Sequence, residues 1–183
     1  MLYTRKGDTG TTKTFGCNQR ISKSSAIAEA LGSLDEINSF LGLCKVKVKS
    51  KKWKVKSFKI DKIVHEIQQT LFIIQAELAG ADKKVSEEKV KDLENIIDEI
   101  EKILPPIKTF FISGGTELAA TFDIARTIAR RAERRVVQVS EEGMRKVGPE
   151  TLKYLNRLSS ILYALARLSN HLAGVTEEAP KYK

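Results

Sequence analysis

The segment ARTIARRAERRVV, residues 125–137, combines two residue patterns that a helix would place on neighbouring faces. Apolar residues recur there every three or four positions, at Ala125, Ile128, Ala129, Ala132 and Val136. Arg126, Arg130 and Arg134 stand four residues apart, so a helix would stack their guanidinium groups beside the apolar face. Stacked like charges repel one another, and Glu133 is the one acid in the segment. The segment therefore predicts a helix with a buried face, whose arginines either stay solvated or meet an anion from elsewhere.

Helical spacing of apolar residues recurs in four other segments, at about 24–44, 60–79, 86–104 and 149–174. The arginine-bearing helix is expected to begin after Thr116 and to end near Gly143. Pro105 and Pro106 end the helix before it. Five amphipathic helices with no hairpin signal predict an all-α fold, a five-helix bundle.

Length and composition indicate one globular domain over residues 1–183, with an N-terminal loop (1–23), a helical bundle (24–174) and a tail (175–183). No apolar run approaches the roughly 20 residues of a membrane span, and the residues after Met1 do not resemble a signal peptide. No membrane partner is therefore expected. Cys17 and Cys44 lack metal-ligand spacing, which favours free thiols in the cytoplasm.

The net charge of +9 arises mainly from one segment, because Lys45 to Lys59 contains eight lysines and no acid. Nucleic-acid modules pair such charge with aromatic platforms, and only Trp53 and Phe58 are available here. We expect a solvated loop or a ragged helix start, and no nucleic-acid partner. The alternative is a non-catalytic helical module that binds an acidic partner through this patch.

The N-terminal segment TRKGDTGTT, residues 4–12, has the composition of an anion-binding loop. Gly7 and Gly10 permit tight turns whose backbone N–H groups can face an anion, and Arg5 and Lys6 add positive charge. The mixture suits a polyphosphate, although the spacing is not that of a P-loop. A disordered polar N-terminus would explain the same residues.

Three further motifs have structural as well as functional explanations. ALGSLDEINSFLG, residues 30–42, places Asp35 beside an apolar stripe, where it is either a solvent-facing acid or the partner of a cation. FFISGGTELAA, residues 110–120, sets two phenylalanines before a glycine pair that either admits a ligand or forms a turn. In YLNRLSSILYALARLSN, residues 154–170, Asn156 stands among leucines, where an interhelical hydrogen bond is the commoner role.

Taken together and in order, these motifs closely resemble the propanediol-utilisation-type ATP:cob(I)alamin adenosyltransferases, from Tyr3 to about Asn170. The resemblance implies a ferritin-like up-down bundle that assembles as a homotrimer with active sites between subunits. It implies transfer of the 5′-deoxyadenosyl group of ATP to cob(I)alamin, with Mg²⁺ accompanying ATP. A cobalamin reductase and an adenosylcobalamin-dependent enzyme are the partners implied. An ATP-responsive regulator without the cobalamin chemistry is a rival interpretation.

The resemblance also assigns roles to particular residues. The triphosphate would be held by Thr4, Arg5, Lys6, Gly7, Thr12, Lys13 and Lys23. The rest of the ATP site would be lined by Arg130, Arg131, Glu133, Arg134 and Asn156. Asp35 would pair with Arg126 at the subunit interface, and Phe110 would face the corrin ring and help to expel the lower axial ligand. The catalytic set is therefore Arg130, Asp35, Arg126 and Phe110, with Mg²⁺ held by ATP and no protein metal ligand assigned.

The chemistry agrees with this assignment. Cob(I)alamin is itself the nucleophile, so the protein requires no general base, and the chain has only two histidines. The arginines would be neutralised by Asp35 and by ATP. The chain departs from the family pattern at four positions, where the family commonly has arginine, proline, histidine and aspartate: Ile27, Ser113, Asp123 and Ser160. Ser113 predicts a looser connector before the arginine-bearing helix.

Overall fold

The computed structural model describes residues 3–14, 19–50 and 59–182. It contains five helices, which confirms the predicted all-α class. They are α1 (Ala26–Ser50), α2 (Ile60–Ala79), α3 (Glu87–Ile103), α4 (Glu117–Glu141) and α5 (Pro149–Leu172). Among the described elements, α4 packs against both α1 and α5, while α2 packs on α1 and α3 on α5. Helix α4, which carries the arginines, therefore lies at the centre of the arrangement.

Four of the five residues of the predicted apolar stripe of α4 are fully buried and Ile128 is partly buried, and the alanines allow the neighbouring helices to approach closely. Ala125, Ala129, Ala132 and Val136 are all 0% exposed. The five helices share one apolar core, to which Phe122 contributes the largest fully buried side chain. Burial of this kind is the main favourable term in folding.

Local signals explain where the helices begin. Thr116 caps α4 by accepting a hydrogen bond from the Ala119 N–H at 3.1 Å, and Ser86 caps α3 through the Lys89 N–H at 3.4 Å. The start of α5 is held by Glu77 of α2, a buried carboxylate that accepts from the Gly148 N–H at 2.8 Å and the Thr151 hydroxyl at 2.5 Å. The bonds from Ala119, Lys89 and Gly148 satisfy backbone N–H groups that a helix leaves unpaired at its start.

The structure adds to the five helices one short strand pair for which the sequence carries no hairpin signal. Strands β1 (Thr11–Lys13) and β2 (Arg20–Ser22) pair antiparallel, with Thr12 opposite Ile21. Each strand has three residues, which is too short for an alternating apolar pattern to appear in the sequence.

For the segment from Lys45 onwards we expect a loop or a ragged helix start. As far as Ser50 it is instead the C-terminal part of α1, so the loop alternative is wrong there. The valine–lysine alternation suggested a strand or loop, but Leu41, Cys44 and Val48 continue the buried helical stripe. Lys47 forms an ion pair with Glu117 at the start of α4. The rest of the segment, residues 51–58, lies outside the described residues.

Cys44 is a free thiol, as predicted, and Cys17 lies outside the described residues. Burial raises the pKa of Cys44 to about 12, so the thiol stays protonated at neutral pH. Within the described part of the chain, no helix is both long and apolar enough to cross a membrane.

Candidate functional site

Two adjoining cavities share the side chain of Arg130. The larger, of about 560 Å³, lies between α4, α5 and the segment 104–116, here called the connector. Its walls include Phe110, Arg126, Arg130, Ser160 and Tyr163. We call it the connector cavity. The structure thus brings Phe110, Arg126 and Arg130 of the predicted catalytic set to one place.

The smaller cavity, of about 320 Å³, lies along the same edge of α4 and is here called the arginine cavity. Among its lining residues are four of the five predicted for the ATP site outside the N-terminal loop, namely Arg130, Glu133, Arg134 and Asn156. Arg131 does not line it, because its guanidinium pairs with Glu36 of α1.

Two of the five arginines in the segment are paired with acids of α1, which reduces the repulsion among them. Arg131 pairs with Glu36, and Arg135 lies 3.6 Å from Glu29. Within the described residues Arg130 makes no hydrogen bond or ion pair with its side chain. Arg134 donates to the Arg130 carbonyl at 3.1 Å and has no carboxylate partner among the same residues. The two arginines that line the arginine cavity are therefore the two available to an anion.

Glu133 does not act as the counter-charge of its neighbours on α4. It accepts a hydrogen bond at 3.1 Å from the side-chain amide of Asn156 on α5. The amide oxygen of Asn156 accepts from Arg157 at 2.8 Å, and Arg157 in turn donates to Glu94 of α3 at 2.9 Å. Asn156 is thus oriented by a hydrogen-bond chain that spans three helices.

Arg126 is partnered within its own helix. Its Nε lies 3.6 Å from the Asp123 carboxylate, and its guanidinium lies 5.9 Å from the centre of the Tyr163 ring. Partial burial raises the pKa of the Tyr163 hydroxyl. Asp35 is exposed on α1, where it lines a separate surface cavity with Phe72, and it does not contact Arg126 in the same chain. The expected pair of Asp35 with Arg126 would form between two subunits, and it stays a prediction.

The connector is held on both sides of Phe110. Nearly buried Asn170 donates to the Gly114 carbonyl and accepts from the Thr116 N–H, both at 2.9 Å. Asp123 accepts from the Gly114 N–H at 3.1 Å. Gly115 has a φ of 93°, and a Cβ there would lie 2.5 Å from the Asn170 side-chain oxygen. The glycine pair therefore forms a turn that requires glycine at its second position.

On the other side of Phe110, Arg167 anchors the connector. It is 5% exposed and donates to the Pro105 carbonyl at 3.1 Å and to Glu177 at 2.8 Å. Its guanidinium lies 5.1 Å from the centre of the Phe111 ring. After Phe110, on the same side as Gly114, the Ile112 N–H donates to the Glu178 carbonyl at 2.8 Å. Both neighbours of Ser113 are hydrogen-bonded, and the looser connector expected at Ser113 stays a prediction.

Phe110 itself is 78% exposed although its backbone is anchored on either side. Ile107, which lines the same cavity, is exposed as well, and exposed apolar side chains grouped at a cavity are a feature of ligand and partner sites. Sequence reasoning missed Arg167, Asn170 and Asp123 as supports of this segment. A buried arginine and asparagine within the apolar pattern of α5 were the available signal.

The N-terminal loop is organised around Arg20, which sequence reasoning also missed. Arg20 donates to the carbonyls of Lys6 and Thr11 and, at 2.7 Å, to the Thr11 hydroxyl. Gly7 packs so closely on Lys23 that a Cβ would lie 3.1 Å from its ammonium nitrogen. Within the described residues, however, no hydrogen bond or ion pair joins this loop to α4 or α5.

The described residues contain no group of three or more His, Cys, Asp or Glu side chains that could hold a metal ion. The cavities are bordered instead by arginines, which are donors for anions.

Comparisons with known proteins identify the family to which the chain belongs. The sequence model of the cobalamin adenosyltransferases matches residues 2–169. The corrinoid adenosyltransferase PduO of Citrobacter freundii is 40% identical over 178 residues, 93% of this chain and 50% of that protein. The corrinoid adenosyltransferase of Bacillus subtilis is 37% identical over 181 residues, 95% of this chain and 89% of that protein. This chain spans about half the length of the PduO proteins that it matches.

A solved structure supports the same relationship. It is that of a phenylalanine-to-alanine variant of the PduO-type ATP:corrinoid adenosyltransferase of Lactobacillus reuteri, complexed with cobalamin and ATP. The two chains are 32% identical and superpose with a TM-score of 0.87 over 99% of each.

Proposed function

This chain belongs to the cobalamin adenosyltransferase family, and we propose on that premise that it transfers the 5′-deoxyadenosyl group of ATP to cob(I)alamin. The products would be adenosylcobalamin and triphosphate. The observation that carries the proposal is the position of Arg130. It lies between the two cavities without a carboxylate partner among the described residues, so it can contact a nucleotide in one cavity and face a corrinoid in the other.

In this reaction the cobalt of cob(I)alamin attacks C5′ of ATP. The electron pair of cobalt forms the cobalt–carbon bond, and the pair of the C5′–O5′ bond leaves with the triphosphate. No proton has to be removed from the nucleophile, so a general base is unnecessary. The protein has to align the two substrates and to stabilise the leaving charge.

Arg130 and Arg134 are suited to the leaving charge, because guanidinium groups bind phosphate oxygens through two hydrogen bonds at once. Asn156 and Glu133 would orient the nucleoside, since their mutual hydrogen bond fixes both side chains at the cavity edge. Together with the lysines and threonines of the N-terminal loop, these residues form the proposed ATP site.

Phe110 is suited to the cobalt side of the reaction. Its exposed ring would face the corrin and exclude water or base from the lower axial position. An apolar environment there favours the reduced, four-coordinate metal. Cobalamin is a substrate in this scheme, and Mg²⁺ would be held mainly by the phosphates of ATP, which agrees with its usual binding through few protein ligands.

We propose a homotrimer with active sites shared between subunits, in a ferritin-like up-down bundle formed by one domain over residues 1–183. Two observations support shared sites. The N-terminal loop has no described hydrogen bond to the helices of the cavities. Asp35 lies beside the exposed ring of Phe72 on a separate face, which suits a contact with another subunit.

The proposed reaction indicates which enzymes must supply its substrate and consume its product. Cob(I)alamin requires a reductase to supply it, and adenosylcobalamin is consumed by an enzyme that uses its cobalt–carbon bond. We propose a reducing compartment, the cytoplasm, because Cys44 is a free thiol.

The test is an anaerobic assay with chemically reduced cob(I)alamin and Mg-ATP, followed by the visible spectrum of adenosylcobalamin. The expected result is conversion that depends on both the protein and ATP. A folded protein that binds ATP without conversion would contradict the proposal and favour an ATP-responsive regulator. Salt-sensitive binding of an acidic partner, without an ATP effect, would favour the lysine-patch alternative.

A further inference from the structure

Asp123 contacts two parts of the site at once, the connector and Arg126. One carboxylate oxygen accepts a hydrogen bond from the Gly114 N–H of the connector at 3.1 Å. The other lies 3.6 Å from the Nε of Arg126. The Asp123 side chain is only 12% exposed, so both interactions are partly shielded from water.

The contact with Arg126 affects how that guanidinium is directed. The Nε of Arg126 is buried and has no hydrogen-bond partner among the described residues. The Asp123 carboxylate supplies the one ion pair that Arg126 makes within those residues. The carboxylate therefore faces the Nε edge of the guanidinium as its ion-pair partner, while Arg126 lines the connector cavity with Tyr163.

The contact with Gly114 affects the position of the Phe110 ring on the connector. Phe110 precedes Gly114 by four residues and is largely exposed, so its side-chain packing alone does not fix it. The position of the ring depends on the backbone anchors of the connector. At Gly114, Asp123 holds the N–H and Asn170 holds the carbonyl.

We propose that Asp123 is a positioning residue that sets Arg126 and the Phe110-bearing connector relative to each other. A carboxylate can do this because its two oxygens can serve different partners: one accepts from the Gly114 N–H, and the other faces the Arg126 guanidinium as its ion-pair partner. The inference rests on the proposed function for its catalytic consequence. The geometric part, that Asp123 holds the connector, stands apart from that function and is tested separately.

Two substitutions separate the two contacts. Asp123→Asn keeps an oxygen for the Gly114 N–H and removes the charge that faces Arg126. Asp123→Ala removes both. Asp98→Ala, at an exposed carboxylate of α3, is the matched control. The measurements are hydrogen–deuterium exchange of peptides covering residues 107–116, and kcat with separate KM values for ATP and cob(I)alamin.

We expect Asp123→Ala to speed exchange of the connector several-fold and to lower kcat about tenfold, with the KM for ATP changed less than about twofold. Asp123→Asn should leave connector exchange within about twofold of wild type and still lower kcat by about threefold. The Asp98→Ala protein should match wild type in both measurements. If Asp123 served folding alone, the variants would lose yield or thermal stability, and Asp123→Ala and Asp123→Asn would not differ in connector exchange and kcat in this way.

If hydrogen–deuterium exchange of the connector is unchanged in Asp123→Ala, Asp123 does not hold the connector, whatever the activity of the variant. If that variant does not fold, unchanged kcat in Asp123→Asn would overturn the Arg126 part. An inactive wild-type protein would contradict the proposed function instead, and the exchange comparison would still decide whether Asp123 holds the connector.

Discussion

The connector and the N-terminal loop carry the two main groups of predicted site residues, and they are attached to the bundle differently. The connector is bound to α4 and α5 through Asp123, Arg167 and Asn170. The N-terminal loop is bound to itself, mainly through Arg20. No described hydrogen bond or ion pair joins the loop to the helices of the two cavities. The part of the site that we propose to face cobalt is thus anchored within one chain, whereas the proposed triphosphate-binding part would require a second subunit to complete it.

The substitution with the largest expected effect is Arg130→Ala, because Arg130 is common to both cavities. Loss of a charge-stabilising donor lowers catalytic rates by about 10² to 10³ in other enzymes. We expect a loss of that size in kcat/KM for ATP-dependent adenosylation, measured by the spectral assay. Arg135→Ala is the matched control on the same helix, since Arg135 faces Glu29. Comparable losses in both variants would contradict the assignment.

Phe110→Ala tests the connector half by itself. We expect adenosylation to fall by about 10² while the dissociation constant for ATP changes less than about twofold, because Phe110 does not line the arginine cavity. Isothermal titration with ATP and the spectral assay measure the two quantities. Phe72→Ala, which removes an exposed ring elsewhere, is the control for loss of a surface aromatic. Normal turnover in Phe110→Ala would place the corrinoid elsewhere.

Mixing two inactive variants tests whether the loop and Arg130 come from different subunits. Lys6→Ala and Arg130→Ala proteins, unfolded together in equal amounts and refolded, should regain about a quarter of wild-type activity, because a quarter of the shared sites would be intact in random trimers. Each variant refolded alone is the control. No recovery in the mixture, with mixed oligomers verified by mass, would show that loop and arginine act within one chain.

Gly115→Ala tests the turn that ends the connector. The new Cβ would meet the Asn170 side chain and would require a left-handed backbone, so we expect a loss of about 1–3 kcal/mol in the free energy of unfolding. Denaturant unfolding measures this loss. Gly42→Ala provides the comparison, since a Cβ there would meet its nearest neighbour at an ordinary 3.8 Å. Equal stability of the two variants would mean that the turn adapts.

The smallest effect is expected from Ser113→Pro, which restores the residue that resemblance to the family predicts. The Ser113 N–H makes no hydrogen bond among the described residues, while Ile112 and Gly114 are already anchored. We therefore expect kcat to change less than about twofold. A large gain in the spectral assay would show that the wild-type connector is mobile during turnover, despite its anchors.

The helices could be predicted from sequence because their signal is local. Buried positions recur every three or four residues, and caps such as Thr116 stand next to the helices that they start. The errors have local causes too. Alternation around Val46 and Val48 competed with a helical stripe, and three-residue strands leave no pattern.

The candidate site could be predicted only in part. Arg130, Glu133 and Arg134 lie along one helix face, so their proximity follows from spacing alone. Pairing of Arg131 with Glu36 could not be predicted, because it joins residues 95 positions apart. The hydrogen bond from Asn170 to the Gly114 carbonyl could not be predicted either, because 56 residues separate the two.

By itself, the sequence determined five amphipathic helices and a cationic edge on the fourth, since both depend on the 3.6-residue period of one helix. The tertiary structure alone decided which arginines remain available to an anion and how the Phe110 ring is held. Both outcomes depend on how distant segments pack. Acids of α1 neutralise Arg131 and Arg135. Asp123, Arg167 and Asn170 hydrogen-bond backbone groups of the connector, and the sequence does not show which backbone groups will lack a partner.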